Sequence, residues 1–113
     1  MSEKDKLNIL TLLDAIGKIT KYSSGYENAD DFYENERDFD ASMMNFVIIG
    51  EMVSRLSDEF VEENRRVDWF KIRGFRNIVA HDYFGIDAEE VWHIIKTHLP
   101  KLENDLRTIV EKY

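Results

Sequence analysis

Apolar residues recur every three or four positions along most of this chain, and no run alternates apolar with polar residues as a half-buried strand would. The first segment, Lys4 to about Ser24, is predicted to form an amphipathic helix. Its apolar residues fall at three-residue steps, with Leu12 beside them: Leu7, Leu10, Leu13, Ile16 and Ile19. The helix should end at Ser23-Ser24-Gly25, where glycine can adopt a left-handed C-terminal cap.

The next long helix is predicted to begin near Asp38 or Asp40, after a short acidic helical turn around Phe32-Tyr33, and to run to about Phe60. Its middle, residues 43–53, is apolar around almost the whole circumference. One core face cannot use all of that surface, so we expect a second side to pack against another copy of the chain. The sequence therefore predicts a homodimer.

Two further helices complete the pattern. Asp68 can cap a third helix that begins at Trp69 and ends near Phe84-Gly85. Asp87, followed three residues later by Glu90, has the spacing of a capping box and should begin the last helix. Pro100 should kink or break that helix, because proline removes a backbone hydrogen bond and clashes with the preceding turn. The expected buried stripe is Val91, Ile94, Ile95, Leu99, Leu102, Leu106, Ile109 and Val110.

These elements predict an all-α fold, an antiparallel bundle of four to five helices that forms one domain over residues 1–113. A chain of 113 residues with 43% hydrophobic content is the size of one ordinary domain. It has no cysteine, which excludes disulfides, thiolate metal sites and cysteine nucleophiles. We find no signal peptide and no membrane-spanning run, so the expected location is the cytoplasm, with no membrane partner.

The net charge of −8 argues against a protein that coats nucleic acid through a broad basic surface, although it leaves room for a local basic cleft. The carboxylates that crowd residues 27–40 are interpreted as a solvated helix face.

The third predicted helix gathers the polar groups that could perform chemistry. With Arg76 at 0° and about 100° per residue, Arg73 falls at about 60°, Asn77 at about 100° and His81 at about 140°. Tyr83 returns to within about 20° of Arg76. Ile72, Phe75, Ile78 and Val79 occupy the opposite, core-facing arc.

Such a set suits cleavage of RNA without a metal ion or any other cofactor. Histidine can take the proton from a 2′-OH or give one to the leaving 5′ oxygen, while arginine stabilises the extra charge on the transition state. One His81 cannot readily be both acid and base, but a two-fold dimer would supply two. We interpret His93 and His98 as structural, and expect Glu51 to pair with Arg55 four residues later.

Residues 76–87, from Arg76 through His81 and Tyr83 to Asp87, resemble the signature of the HepT-like branch of the HEPN superfamily, in which Arg, four residues, His, one residue and Tyr follow one another. Further matches flank the signature: Ile49-Gly50-Glu51, Trp69, Val91-Trp92 and Leu99-Pro100-Lys101-Leu102. The resemblance covers about residues 5 to 110. It departs at Val67-Asp68-Trp69, where many relatives have proline before the tryptophan.

The resemblance implies a dimeric helical bundle whose motif helices line a shared cleft. It implies a metal-independent endoribonuclease toxin of a toxin–antitoxin pair, with Arg76 and His81 as the catalytic pair and Asn77 in support. Its usual partner is a small nucleotidyltransferase antitoxin of the MntA type, which adds AMP to the motif tyrosine, here Tyr83. The added bulk and negative charge would repel an RNA backbone from the cleft.

Two other interpretations remain open from the residues alone. The first is a non-catalytic helical module that docks a nucleotidyltransferase and binds nucleotide or phosphate on the Arg/His face; the net charge favours it. The second is a structural helical dimer without a ligand, which would make the cluster of Arg73, Arg76, Asn77 and His81 accidental.

Overall fold

A computed structural model describes residues 1–82 and 87–112, and within those ranges all regular secondary structure is helical. The elements follow in this order: α1 Glu3–Ser23, α2 Ala29–Glu34, α3 Glu36–Ser54, α4 Asp58–Glu63, α5 Trp69–Arg73, α6 Phe75–Asp82, α7 Ala88–His93, a π-helical turn Ile94–His98, and α8 Leu99–Glu111. The predicted all-helical bundle is therefore confirmed. In the described part of the chain, no helix is both long and apolar enough to cross a membrane.

Helices α1 and α3 form the centre of the bundle and run antiparallel. The start of α1 lies beside the end of α3, where Asn8 Nδ2 donates a hydrogen bond to the carbonyl of Arg55 at 3.3 Å. The buried Asp5 carboxylate accepts hydrogen bonds from Ser57 N at 2.9 Å and Ser57 Oγ at 2.6 Å. Burial raises the pKa of Asp5, but these hydrogen bonds outweigh it and leave the pKa below its usual value. The charged carboxylate thus joins α1 to the cap of α4.

The apolar stripe of α1 differs from the predicted one. Leu7 and Leu10 are 64% and 44% exposed, whereas Ile9 and Leu12 are fully buried together with Ile16 and Ile19. A strict three-residue step rotates by about −60° each time and drifts off a helix face, while alternating steps of three and four stay on it. The prediction for Leu7 and Leu10 was wrong for that reason.

The ends of α1 and α3 also differ in detail from the predictions. No glycine in the described residues has a positive φ, so Gly25 does not form a left-handed cap. Instead, Ser23 Oγ and Ser24 Oγ donate hydrogen bonds to carbonyls of the last turn of α1. Helix α3 is capped by Asn35, which accepts from Asp38 N, rather than by Asp38 or Asp40. It ends at Ser54, and a separate helix, α4, follows it.

The remaining caps match the predictions. Asp68 Oδ1 accepts a hydrogen bond from Lys71 N at the start of α5, and Asp87 Oδ1 accepts from Glu89 N and Glu90 N at the start of α7. The predicted end of the third helix at Phe84-Gly85 lies outside the described residues. All but Val110 of the predicted stripe of the last helix is buried, and Val110 is partly buried.

The interruption predicted at Pro100 takes the form of a π-helical turn just before the proline. The amide of Leu99 donates to the carbonyl of Ile94, five residues back. Because the turn is wider than in an α-helix, Pro100 enters α8 in its first turn, where a missing N–H costs no hydrogen bond.

Candidate functional site

The third predicted helix is built as two short helices, α5 and α6, that lie against α3. Ile72 and Phe75 are buried, and the ring of Phe75 meets that of Phe46 edge-on at 5.9 Å. Gly74 separates the two helices but keeps right-handed helical angles, with φ −66° and ψ −15°. The polar side of α5 and α6 is therefore presented by a segment whose apolar side is fixed to the core.

Gly50 allows α6 to approach α3 very closely. A Cβ atom at position 50 would lie 2.8 Å from Arg76 Cβ and 3.1 Å from the carbonyl oxygen of Arg73. Only a glycine fits that space without a shift of one helix. The role of Gly50 is thus to let the stem of Arg76 pack against α3.

Glu51, the next residue of α3, holds the other end of the same arginine. Arg76 Nη1 donates a hydrogen bond to Glu51 Oε1 at 2.9 Å. The two side chains are 38% and 44% exposed, so the ion pair lies at the protein surface and is accessible to a ligand. The predicted pairing of Glu51 with Arg55 was wrong, because the carboxylate points to a helix 25 residues further along the chain.

Arg73 and Asn77, the two supporting residues of the predicted site, are both exposed. His81 belongs to α6, one turn beyond Asn77, but its side chain lies outside the described part of the structure. Tyr83 lies wholly outside the described residues. The structure therefore brings Arg76 together with Glu51 and Gly50, and the geometry of His81 and Tyr83 stays a prediction.

The charge on α5 and α6 contrasts with the rest of the chain. Residues 69–82, which hold α5 and α6, contain Lys71, Arg73, Arg76 and His81 and a single carboxylate, Asp82, in a protein with 23 acidic and 15 basic side chains. Glu51 is the carboxylate that reaches this segment from α3. A ligand here would meet positive charge, and an anion could replace Glu51 as the partner of Arg76.

A second group of basic side chains lies where α5 meets the π-helical turn. Lys71 Nζ lies 3.3 Å from His98 Nε2, and the rings of His93 and His98 meet edge-on at 5.4 Å. Glu90 lines the same shallow depression. Burial lowers the pKa of His98, and the positive charge of Lys71, His93 and Lys101 lowers it further. The sequence analysis did not foresee this contact, since Lys71 and His98 are 27 residues apart.

Glu51 and Gly50 are the residues of the site that chemical reasoning from the sequence missed. Both lie in the Ile49-Gly50-Glu51 block that resembles the HEPN pattern. The residues of this block were noted in the sequence. Their role, to hold the Arg76 side chain, became clear only from the packing of α6 on α3.

The fold and the site define a class: an all-helical bundle with an arginine and a histidine five residues apart in one helix. Residues 12–109 match the family model described as "Ribonuclease HepT-like". Since that match covers most of the chain, the protein belongs to the HepT-like ribonuclease family.

Several archaeal and bacterial proteins are similar to the chain along much of its length. A protein of Methanocaldococcus jannaschii named "Gamma-glutamylcyclotransferase and putative RNase" is 30% identical over 99% of this chain, which spans 50% of that relative. A Caldanaerobacter subterraneus protein named "Putative RNase" is 36% identical over 64% of this chain and 64% of its own length. A second M. jannaschii protein so named is 28% identical over 96% of this chain and 100% of its own. No solved structure matches the chain.

Proposed function

We propose that this protein is a metal-independent endoribonuclease in which Arg76 and His81 act as the catalytic pair. The observation that carries the proposal is the environment of the Arg76 side chain. Its stem packs against Gly50, its guanidinium pairs with Glu51, and the side chain remains 38% exposed. A buried structural arginine would not be left accessible, and a free surface arginine would not be held at both ends. An arginine that is fixed and accessible is suited to an anionic transition state.

In the proposed reaction, an imidazole takes the proton from an RNA 2′-OH, and the 2′ oxygen forms a bond to the neighbouring phosphorus. The bond from phosphorus to the 5′ oxygen breaks, and that oxygen takes a proton from an imidazolium. The products are a 2′,3′-cyclic phosphate and a free 5′-OH. Arg76 stabilises the charge on the phosphorane-like transition state, while Asn77 and Arg73 help to position the phosphate.

The proposal includes a homodimer, because two proton transfers are served best by two histidines. The open side of α3 supports it: Met44 is 63% exposed, and Val47, Ile48 and Met52 are only partly buried. Glu51 lies on this same side, so a second copy that covers the apolar residues would place its own α6 near the first. Two copies of His81 would then line one cleft.

The proposal also assigns the protein to a toxin–antitoxin pair in which a nucleotidyltransferase attaches AMP to Tyr83. Support comes from the family and from the position of Tyr83 in the signature, two residues after His81. Tyr83→Phe should leave cleavage intact and abolish labelling with AMP by such a partner. If mass spectrometry located AMP on another residue of the Tyr83→Phe variant, the assignment would be refuted.

The decisive experiment is cleavage of tRNA and total RNA by purified protein in EDTA, for wild type, His81→Ala and the matched control His93→Ala. We expect wild type and the His93 variant to cleave and the His81 variant to lose at least about 100-fold in rate, the range typical of general acid–base catalysis. Mass spectrometry first shows that Tyr83 is unmodified. Cleavage that survives in His81→Ala would remove the assigned role.

A non-catalytic module that docks a nucleotidyltransferase is the second candidate, and the net charge of −8 favours it. It predicts no cleavage by wild type. It also predicts that the Arg76 face still binds nucleotide, which equilibrium dialysis with labelled ATP can measure.

A further inference from the structure

Phe70 is an unusual residue on the surface of α5. Its side chain is 85% exposed, the largest value among the exposed large hydrophobic residues of the described chain. Its neighbours Trp69 and Ile72 are buried at 4% and 6% exposure. The aromatic ring of Phe70 thus gains almost nothing from the core, although α5 is well anchored on either side of it.

The position of Phe70 relates it to the proposed site. Gly74, which separates α5 from α6, keeps right-handed helical angles, so the chain continues in the same direction from Phe70 towards Asn77. Gly74 N donates to the carbonyl of Phe70, and Asn77 N donates to that of Gly74. These bonds close α5 and open α6, and the exposed Phe70, Arg73 and Asn77 follow one another along this segment.

The chemistry of this strip is that of a surface for single-stranded nucleic acid. Such surfaces combine cations that follow the phosphates with aromatic rings on which bases stack. Here an exposed ring is followed by Arg73, Asn77 and Arg76 in a stretch without any carboxylate. The exposed leucines of α1, Leu7 and Leu10, have no such setting, because they lie among residues of both charges.

We propose that Phe70 is a stacking platform for an unpaired base of the RNA substrate, which it positions so that the strand runs along α5 and α6 towards Arg76. The inference rests on the proposed function, since the ligand is the RNA that is cleaved. Phe70 is a positioning and specificity residue; it takes no part in the reaction.

The spacing sets a further expectation. At the helical rise, the seven residues from Phe70 to Asn77 span at most about 10 Å, which corresponds to about three stacked nucleotides at about 3.4 Å each. The stacked base would lie about three nucleotides from the phosphate held near Asn77. A base within a duplex cannot offer its face to Phe70, so the platform selects single-stranded or looped RNA over helical RNA.

Binding, measured apart from cleavage, tests the platform. In a His81→Ala background, fluorescence anisotropy is recorded with a labelled single-stranded RNA of about 12 nucleotides, a length within typical site sizes. Phe70→Ala should weaken binding by about 5- to 100-fold, Phe70→Trp should restore it, and the control Leu7→Ala should leave it unchanged. Because Phe70 is exposed, thermal unfolding of the Ala variant should match that of its parent.

Salt dependence separates stacking from charge. Arg73→Ala should flatten the dependence of binding on salt, whereas Phe70→Ala should weaken binding at every salt concentration with the slope unchanged. Equal affinity of Phe70→Ala and its parent, or equal loss on duplex RNA, would overturn the platform. Unchanged RNA affinity with lost antitoxin binding would also overturn it and assign Phe70 to a protein contact. Neither result depends on whether wild type cleaves RNA, which the His81 assay decides separately.

Discussion

Helices α1 and α3 differ from helices α5 and α6 in almost every physical respect. The first pair is long, 21 and 19 residues, and buries continuous apolar stripes that include Leu12 and Ile49, both fully inaccessible. The second pair has only 5 and 8 residues, is interrupted at Gly74, and turns cations and an aromatic ring outward. Short helices with polar faces are marginal by themselves. The difference teaches that the candidate site takes its rigidity from buried residues such as Ile72 and Phe75, which pack on the core beside α3, while its outward side chains add little stability.

The largest effect should come from the core of the first pair. Leu12→Ala removes a fully buried side chain and should lower the free energy of unfolding by about 2–5 kcal/mol. At an exposed position of the second pair, Arg73→Ala should alter stability by no more than about 0.5 kcal/mol while it weakens RNA binding. Urea denaturation measures both. A comparable loss of stability in Arg73→Ala would mean that the Arg73 side chain supports the fold and is not reserved for the site.

A smaller effect should appear where the two regions touch. Gly50→Ala places a methyl group 2.8 Å from Arg76 Cβ and should cost about 1–3 kcal/mol through overpacking, with a loss of RNA cleavage because Arg76 is displaced. Gly17→Ala is the control: nothing lies within 4 Å of the added Cβ in the middle of α1. That change should raise stability by about 0.5–1 kcal/mol. If both variants gained stability, the close contact between α3 and α6 would be refuted.

The smallest effect concerns the dependence of stability on pH. Because the pKa of His98 is lowered in the folded protein, the unfolded chain binds the extra proton first as the pH falls below the ordinary value of 6.5. The stability that neutral His98 allows is therefore fully present above pH 6.5. It is lost as the pH falls towards the folded pKa of His98. His98→Gln should reduce this loss. The expected observation is a difference in melting temperature between variant and wild type at about pH 5.5 that disappears at about pH 8.

The fold was predictable where local physics determines it. Asp68 and Asp87 are N-caps because a carboxylate two or three residues before a free amide satisfies it wherever the helix lies. The buried stripe of the last helix follows from a spacing of three and four. The cap of α3 was harder, because Asn35, Asp38 and Asp40 all have suitable side chains and only packing selects Asn35.

The candidate site was predictable only in part, for a different reason. Helical geometry predicts a shared face for Arg73, Arg76 and Asn77, and the structure shows Arg73 and Asn77 exposed. The partner of Arg76 does not: Arg55 was the local choice for Glu51, and the observed contact joins two helices through the space that Gly50 leaves. Contacts between elements depend on how the helices pack, which spacing along one helix does not determine.

The π-helical turn at Ile94–His98 acts as a phase shift of about one residue, or about 100° of rotation, within what is otherwise one helix. Residues before it and after it obey two separate helical wheels, and Val91 and Leu106, one on each side of the turn, both face the core. The chain therefore tolerates Pro100 by geometry that one added residue supplies. Removal of one residue from the turn, together with Pro100→Ala, should yield a straight α-helix in which Val91 and Leu106 still face the core.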